Sequence, residues 1–198
     1  MIAVTPTGVT VQIPWEVAAL NLIERPVALE VRTGDTNSPF AFGTKASALT
    51  EAAWGTFVPN PTIIRPGEVD VVAVHEDWSS LVTVDNPAHP TEILHIYGSG
   101  FGRVAHPPPT GMPSSADPLA PTTVPVTCWT WGADNVSQLQ MSVLFSGLAP
   151  GLVGYYQLDI RLPAGNLRSE WIQFYCNGEG NVTYPYSGDF MGWFAVKP

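Results

Sequence analysis

The amino-acid sequence predicts an all-β fold, a β-sandwich of short strands around an apolar core, and three observations carry that expectation. First, 20 prolines and 18 glycines punctuate 198 residues, a density of turn formers that leaves little room for helices. Second, aromatic residues reach 11% while charged residues fall to 13%, about half the usual share for a soluble domain. Third, alternating apolar segments recur between residues 126 and 198 at roughly the 8–12-residue spacing of a sandwich. With 45% apolar residues the chain has enough material for a sizeable core.

The elements follow in order. Residues 1–58 hold VTVQIPWEV (9–17) and PVALEVRTG (26–34), two short alternating segments with turn residues behind them. Residues 16–24 have room for one helical turn, which Pro26 ends. KASALTEAA (45–53) has the best helical propensity in the chain, but its strand-like flanks favour a loop or brief turn. Residues 59–67, rich in proline, read as a linker. Next come an alternating VDVVAVH (69–75), a turn at HEDWSS (75–80) and a return strand at LVTV (81–84). EILHIYGSGFG (92–102) is a strand running into a glycine-rich bend. Seven prolines in residues 103–125 then predict an extended, polyproline-like excursion. Five strands complete the chain, within 126–133, 139–151, 153–163, 170–178 and 190–198.

Alternation assigns faces. Tyr156, Leu158, Ile160 and Leu162 point one way and Gln157, Asp159 and Arg161 the other, the pattern of a half-buried strand with a wet outer face. Trp171, Gln173 and Tyr175 share one side of their strand, and Ile172, Phe174 and Cys176 the opposite side. The two cysteines are Cys128 and Cys176. Antiparallel pairing of 126–132 with 170–178 makes them neighbours, and a disulfide there implies an oxidising compartment. The alternative is two unrelated buried thiols.

Several classes of chemistry lack their residues. Eight Lys and Arg against 17 Asp and Glu give a net charge of −9, and no basic cluster offers a phosphate-reading patch, so nucleic acid is not an expected partner. No apolar run of about 18 residues predicts membrane insertion. The N-terminal residues do not read as a signal peptide, so secretion requires a signal further upstream. His75, His89, His95 and His106 are not spaced as metal ligands, and Gly98-Ser99-Gly100 is not a nucleophile elbow. His75-Glu76-Asp77 reads as a solvated turn, and His95 as a strand residue that packs or faces solvent. The acids are scattered, with no paired carboxylates to name. No catalytic residue, metal or cofactor is predicted.

The runs NPAHPTEILHIYGSGFGRV (86–104) and GLAPGLVGYYQLDIRLPAG (147–165) carry a resemblance. Residues 68–165 resemble a C-terminal domain of unknown function from large secreted acidobacterial proteins, the Solibacter-type domain. The bend from Gly98 to Gly102 is similar to that of the IPT/TIG immunoglobulin-like fold. The resemblance implies a complete immunoglobulin-like sandwich over 68–198, preceded at 1–58 by the second half of another. It supplies no activity. The family's corresponding strand lacks a cysteine, so a Cys128–Cys176 bridge is this chain's own addition. A half-sandwich implies either missing upstream strands or strands donated by another subunit, as in surface fibres.

The expected function is therefore non-enzymatic: an extracellular structural or adhesive protein whose partners are copies of itself or other surface proteins, or else a carbohydrate-binding module of a larger secreted protein. Trp129 and Trp131, two residues apart on one strand, with Trp171, Tyr175 and Trp193, form the expected interface or sugar-stacking surface. Asn135 and Asn181 each head a glycosylation sequon.

Overall fold

The computed structural model describes residues 71–168, 170–178 and 190–197, together with strand backbone at Ala3–Thr5, Gly8–Thr10 and Gly55–Thr56. Asn181, the linker and most of residues 1–58 lie outside the described residues. Among the described residues every regular element is a strand. In chain order they are β1 (Ala3–Thr5), β2 (Gly8–Thr10), β3 (Gly55–Thr56), β4 (Val72–Val74), β5 (Ile93–Ser99), β6 (Thr127–Trp131), β7 (Gln138–Leu148), β8 (Tyr156–Arg161), β9 (Glu170–Asn177) and β10 (Phe190–Val196).

β1 and β2 pair with each other. All other strands join one antiparallel sheet in the order β10-β9-β6-β7-β8-β5-β3, with β4 beside β3 on the edge of β5. Gly55 and Thr56, assigned from sequence to the N-terminal unit, pair here with Ser99 and Gly98. The sheet nearly closes. Val71 donates its amide to the Trp193 carbonyl, and Ala88 donates to Ala195 while accepting from Lys197. Thus the 71–88 segment touches both β5, through β4, and the far edge of β10.

β7 makes this curvature possible. Its first residues pair with β6, from Gln138 to Met141, and Ser142 to Leu148 pair with β8. A register irregularity between Val143 and Phe145 separates the two halves, and such a bulge bends a strand. Inward-facing residues of every layer then meet in one core: Leu94, Ile96, Cys128, Met141, Leu158, Ile160, Ile172, Phe174 and Phe194 are all essentially buried. The disulfide lies there too. Cys128 and Cys176 stand directly opposite in the β6–β9 ladder, 4.1 Å apart at Cα, the close approach of a non-hydrogen-bonded pair.

The GSGFG bend serves the core as well. Gly100 and Gly102 adopt φ of 69° and 108°, which lets the chain turn sharply and drop Phe101 inside. The Phe101 ring lies 5.2 Å from Tyr156, whose hydroxyl donates to the Gly102 carbonyl at 2.6 Å.

Residues 103–125 are more than an extended excursion. They fold back on themselves and along β7: Leu148 donates to the Ala120 carbonyl, Thr122 to that of Ser146, and Ala105 to that of Pro121. Proline lacks an amide donor but keeps its carbonyl acceptor, so a proline-rich segment still pairs through the neighbouring amides. The expected return strand at 81–84 reduces to one bridge, Val74 with Leu81, because the chain turns again at Thr83–Asn86.

Two stability predictions follow from this packing. Replacing Cys128 and Cys176 together by serine frees a cross-link spanning 48 residues and removes about 3–4 kcal/mol, which calorimetry will read as a melting temperature lower by on the order of 10 °C. At Gly147 an added Cβ meets the Ala120 carbonyl oxygen at 2.3 Å and Pro121 Cα at 2.7 Å, both backbone atoms. Gly147→Ala is therefore expected to cost roughly 1–3 kcal/mol by chemical denaturation.

Candidate functional site

Strand alternation leaves two outer faces, and they differ in how their polar groups are used. On the β5–β8 face, His95 Nδ1 donates to Asp159 at 2.8 Å, and Gln157 donates to the same carboxylate at 2.9 Å. His95 is 7% exposed although it points away from the core. The reason is the 76–80 turn, which lies over it: Trp78 stacks on the His95 ring at 3.6 Å, and His95 Nε2 faces the Glu76 carbonyl at 3.3 Å. The outer face of β8 is accordingly less wet than its alternation predicts. Burial, with the charge of Asp159 second, raises the Tyr97 pKa. His75 pairs with Glu92 at 2.5 Å rather than with its sequence neighbours Glu76 and Asp77, tying the same turn to the start of β5. These pairs are structural: each satisfies a partly buried polar group. Among the described residues no three His, Cys, Asp or Glu side chains form a metal-binding group.

The other outer face belongs to β6, β9, β10 and the first half of β7. The ladder registers bring together the residues singled out from sequence. Trp129 lies opposite Tyr175 on β9 and Gln140 on β7, and Trp131 lies opposite Gln138. Gln173 on β9 lies opposite Trp193 on β10. The Trp129 and Tyr175 rings run nearly parallel, with 6.0 Å between centroids and 13° between planes. Trp129, Trp131, Tyr175 and Trp193 are all half-buried, as side chains standing on a sheet must be when one flank packs on neighbours. Trp171 shares their parity but differs in role: opposite the buried Ala195 it packs against the core.

Amide side chains complete this face, and the sequence-based reading missed them. Gln138 and Gln140 are exposed beside the two tryptophans, and the Tyr175 hydroxyl donates to Gln173 Oε1 at 2.8 Å. Their signal was available in the alternation of 138–141 once the β6–β7 register is known. Beneath them, Thr130 points inward and its hydroxyl donates to the Gln173 carbonyl at 2.6 Å, pinning β6 to β9 below the aromatic surface.

At one end the face dips into a cleft of about 130 Å³, lined by Thr130, Trp131, Asn135, Arg168, Gln173 and Trp193. Two loops form its rim. Gly132 bridges Leu167, and Ala133 donates to the Asn166 carbonyl, which sets Arg168 near Trp131. Asn135, in the left-handed region at φ 56°, sits in the tight β6–β7 turn and is exposed. Asp134 organises that turn by accepting from the Ser137 hydroxyl and from the amides of Ser137 and Val136. Those bonds, the Ser137 hydroxyl first, lower the Asp134 pKa to about 2.

A carboxyl held below its unfolded value supports the fold above that value and loses its effect as pH falls through the folded one. Side-chain carbon NMR should therefore place the Asp134 midpoint near 2, against the ordinary 3.8, and Ser137→Ala should move it upward. The turn holding the cleft's rim is expected to loosen as pH falls through that value. Compared with known proteins, the chain matches no family model, no curated sequence and no solved structure.

Proposed function

We propose that this protein is a non-enzymatic extracellular binding module, an immunoglobulin-like sandwich whose aromatic face stacks on polysaccharide. The single observation that carries the reading is the convergence of Trp129, Trp131, Tyr175 and Trp193 with Gln138, Gln140 and Gln173 on one outer sheet face. Flat rings take the apolar C–H faces of sugars, and amides take their hydroxyl groups. Supporting the sandwich is the bulged β7, which divides its pairing between β6 and β8 so that two sets of strands face each other across one core. Supporting an extracellular setting is the buried Cys128–Cys176 disulfide, a bond that persists where thiols are oxidised.

The second reading is self-assembly through the same face, favoured by its lack of acidic side chains among the described residues in a chain carrying 17, since depletion of charge is also the mark of a subunit interface core. Assembly by strand addition has less support in the described residues. β5 is covered along its edge by β4 and β3, and β10 by Val71 and Ala88.

Affinity electrophoresis of the whole chain in gels containing soluble polysaccharides tests the proposal. Retardation by at least one glycan is expected, and Trp129→Ala or Trp131→Ala should weaken it roughly three- to tenfold each while the variants stay folded with only a small drop in melting temperature. Absence of retardation, together with a dimer in sedimentation velocity that dissociates in the same variants, would replace the glycan reading with assembly.

A further inference from the structure

The proposed glycan face leaves open what kind of sugar it takes, and the cleft at its end bears on that question. Arg168 is exposed at the cleft and, among the described residues, forms no ion pair. The described region has few cations at all: Arg103, Arg161, Arg168 and Lys197. Of these only Arg168 lines the cleft, which it shares with Trp131, Trp193, Asn135 and Gln173.

Among the described residues the nearby acid forms no ion pair with it: Asp134 lies in the adjoining turn, and its oxygens accept from Ser137 and Val136. Among the described residues no carboxylate lines the cleft. A protein of net charge −9 repels polyanions in general, so a guanidinium that among the described residues has no ion-pair partner, beside aromatic and amide side chains, is a local exception to the molecule's own field.

Resting on the glycan reading above, we infer that the cleft receives one carboxylate-bearing sugar, a uronate within or at the end of an acidic polysaccharide. The tryptophans contact the ring, the Asn135 amide meets its hydroxyl groups, and the planar guanidinium takes the planar carboxylate through paired N–H donors. The volume of about 130 Å³ suits a single ring, with the rest of the chain lying along Trp129 and Tyr175. Sequence gives no hint of this site, because Arg168 reaches the tryptophans only through the bridge between Gly132 and Leu167.

Calorimetric titration of the whole chain with oligogalacturonate, cello-oligosaccharide and sulfated dextran tests the inference, alongside Arg168→Gln and Arg168→Lys. Oligogalacturonate should bind best, its affinity falling about tenfold or more in Arg168→Gln and recovering in part in Arg168→Lys. The melting temperature of both variants should match the parent, since Arg168 is exposed and, among the described residues, makes no ion pair. Equal binding of oligogalacturonate by the parent and Arg168→Gln would overturn the uronate assignment while leaving the aromatic face intact. So would a preference for the neutral oligosaccharide, or sulfated dextran competing on equal terms. Failure of all three ligands to bind would remove the glycan reading itself.

Discussion

The register of β6 against β9 is the constraint on which this molecule depends. Cys128 and Cys176 face each other across that ladder in the core, and a disulfide between directly opposed residues allows only one alignment. Side chains alternate with a period of two, so a one-residue slip would turn Trp129, Trp131 and Tyr175 inward and expose Phe174 and Thr130. Thr130 reinforces the same alignment through its bond to the Gln173 carbonyl. Core packing and the aromatic face are thus two consequences of one pairing.

The two outer faces show how the same strand pattern yields different surfaces. On β5 and β8, polar groups are satisfied internally: His95 with Asp159, Gln157 with Asp159, and the whole set capped by Trp78. Burying such groups is tolerable because each has its partner. Trp78 itself remains 51% exposed and held at a φ of 60°, the cost of a turn that folds back over the sheet. On β6 and β9 nothing in the described residues spans the surface in that way, and the side chains are aromatic and amide rather than paired ions. One face is closed by its own chemistry. The other is left aromatic and amide-rich, and the proposed binding rests on it.

Much of the strand framework was legible because alternation is a local property. Residues 93–99, 127–131, 156–161, 170–177 and 190–196 all became strands where short apolar periodicity stood between turn formers. The pairing of the cysteines was legible as one of two readings, since antiparallel pairing of 126–132 with 170–178 makes them neighbours. Less legible were features set by contacts distant in sequence. The 103–125 segment looked unpaired because its prolines cannot donate, yet Ala120 and Pro121 accept through their carbonyls from Leu148 and Ala105. His95 read as an ordinary strand residue because nothing local indicates that the 76–80 turn covers it.

By itself, then, the sequence determined the class of structure, the faces of its strands and four of the aromatic residues on the candidate surface. Those depend on period and composition, which each segment carries alone. Only the tertiary structure decided that Trp171 belongs to the packing and not to the surface, that the bulge in β7 lets one sheet wrap a single core, and that Arg168 and Asn135 meet Trp131 and Trp193 at a cleft. These follow from which strands lie side by side, and neighbourhood across a sheet is set by the collective burial of the core, not by any one stretch of chain.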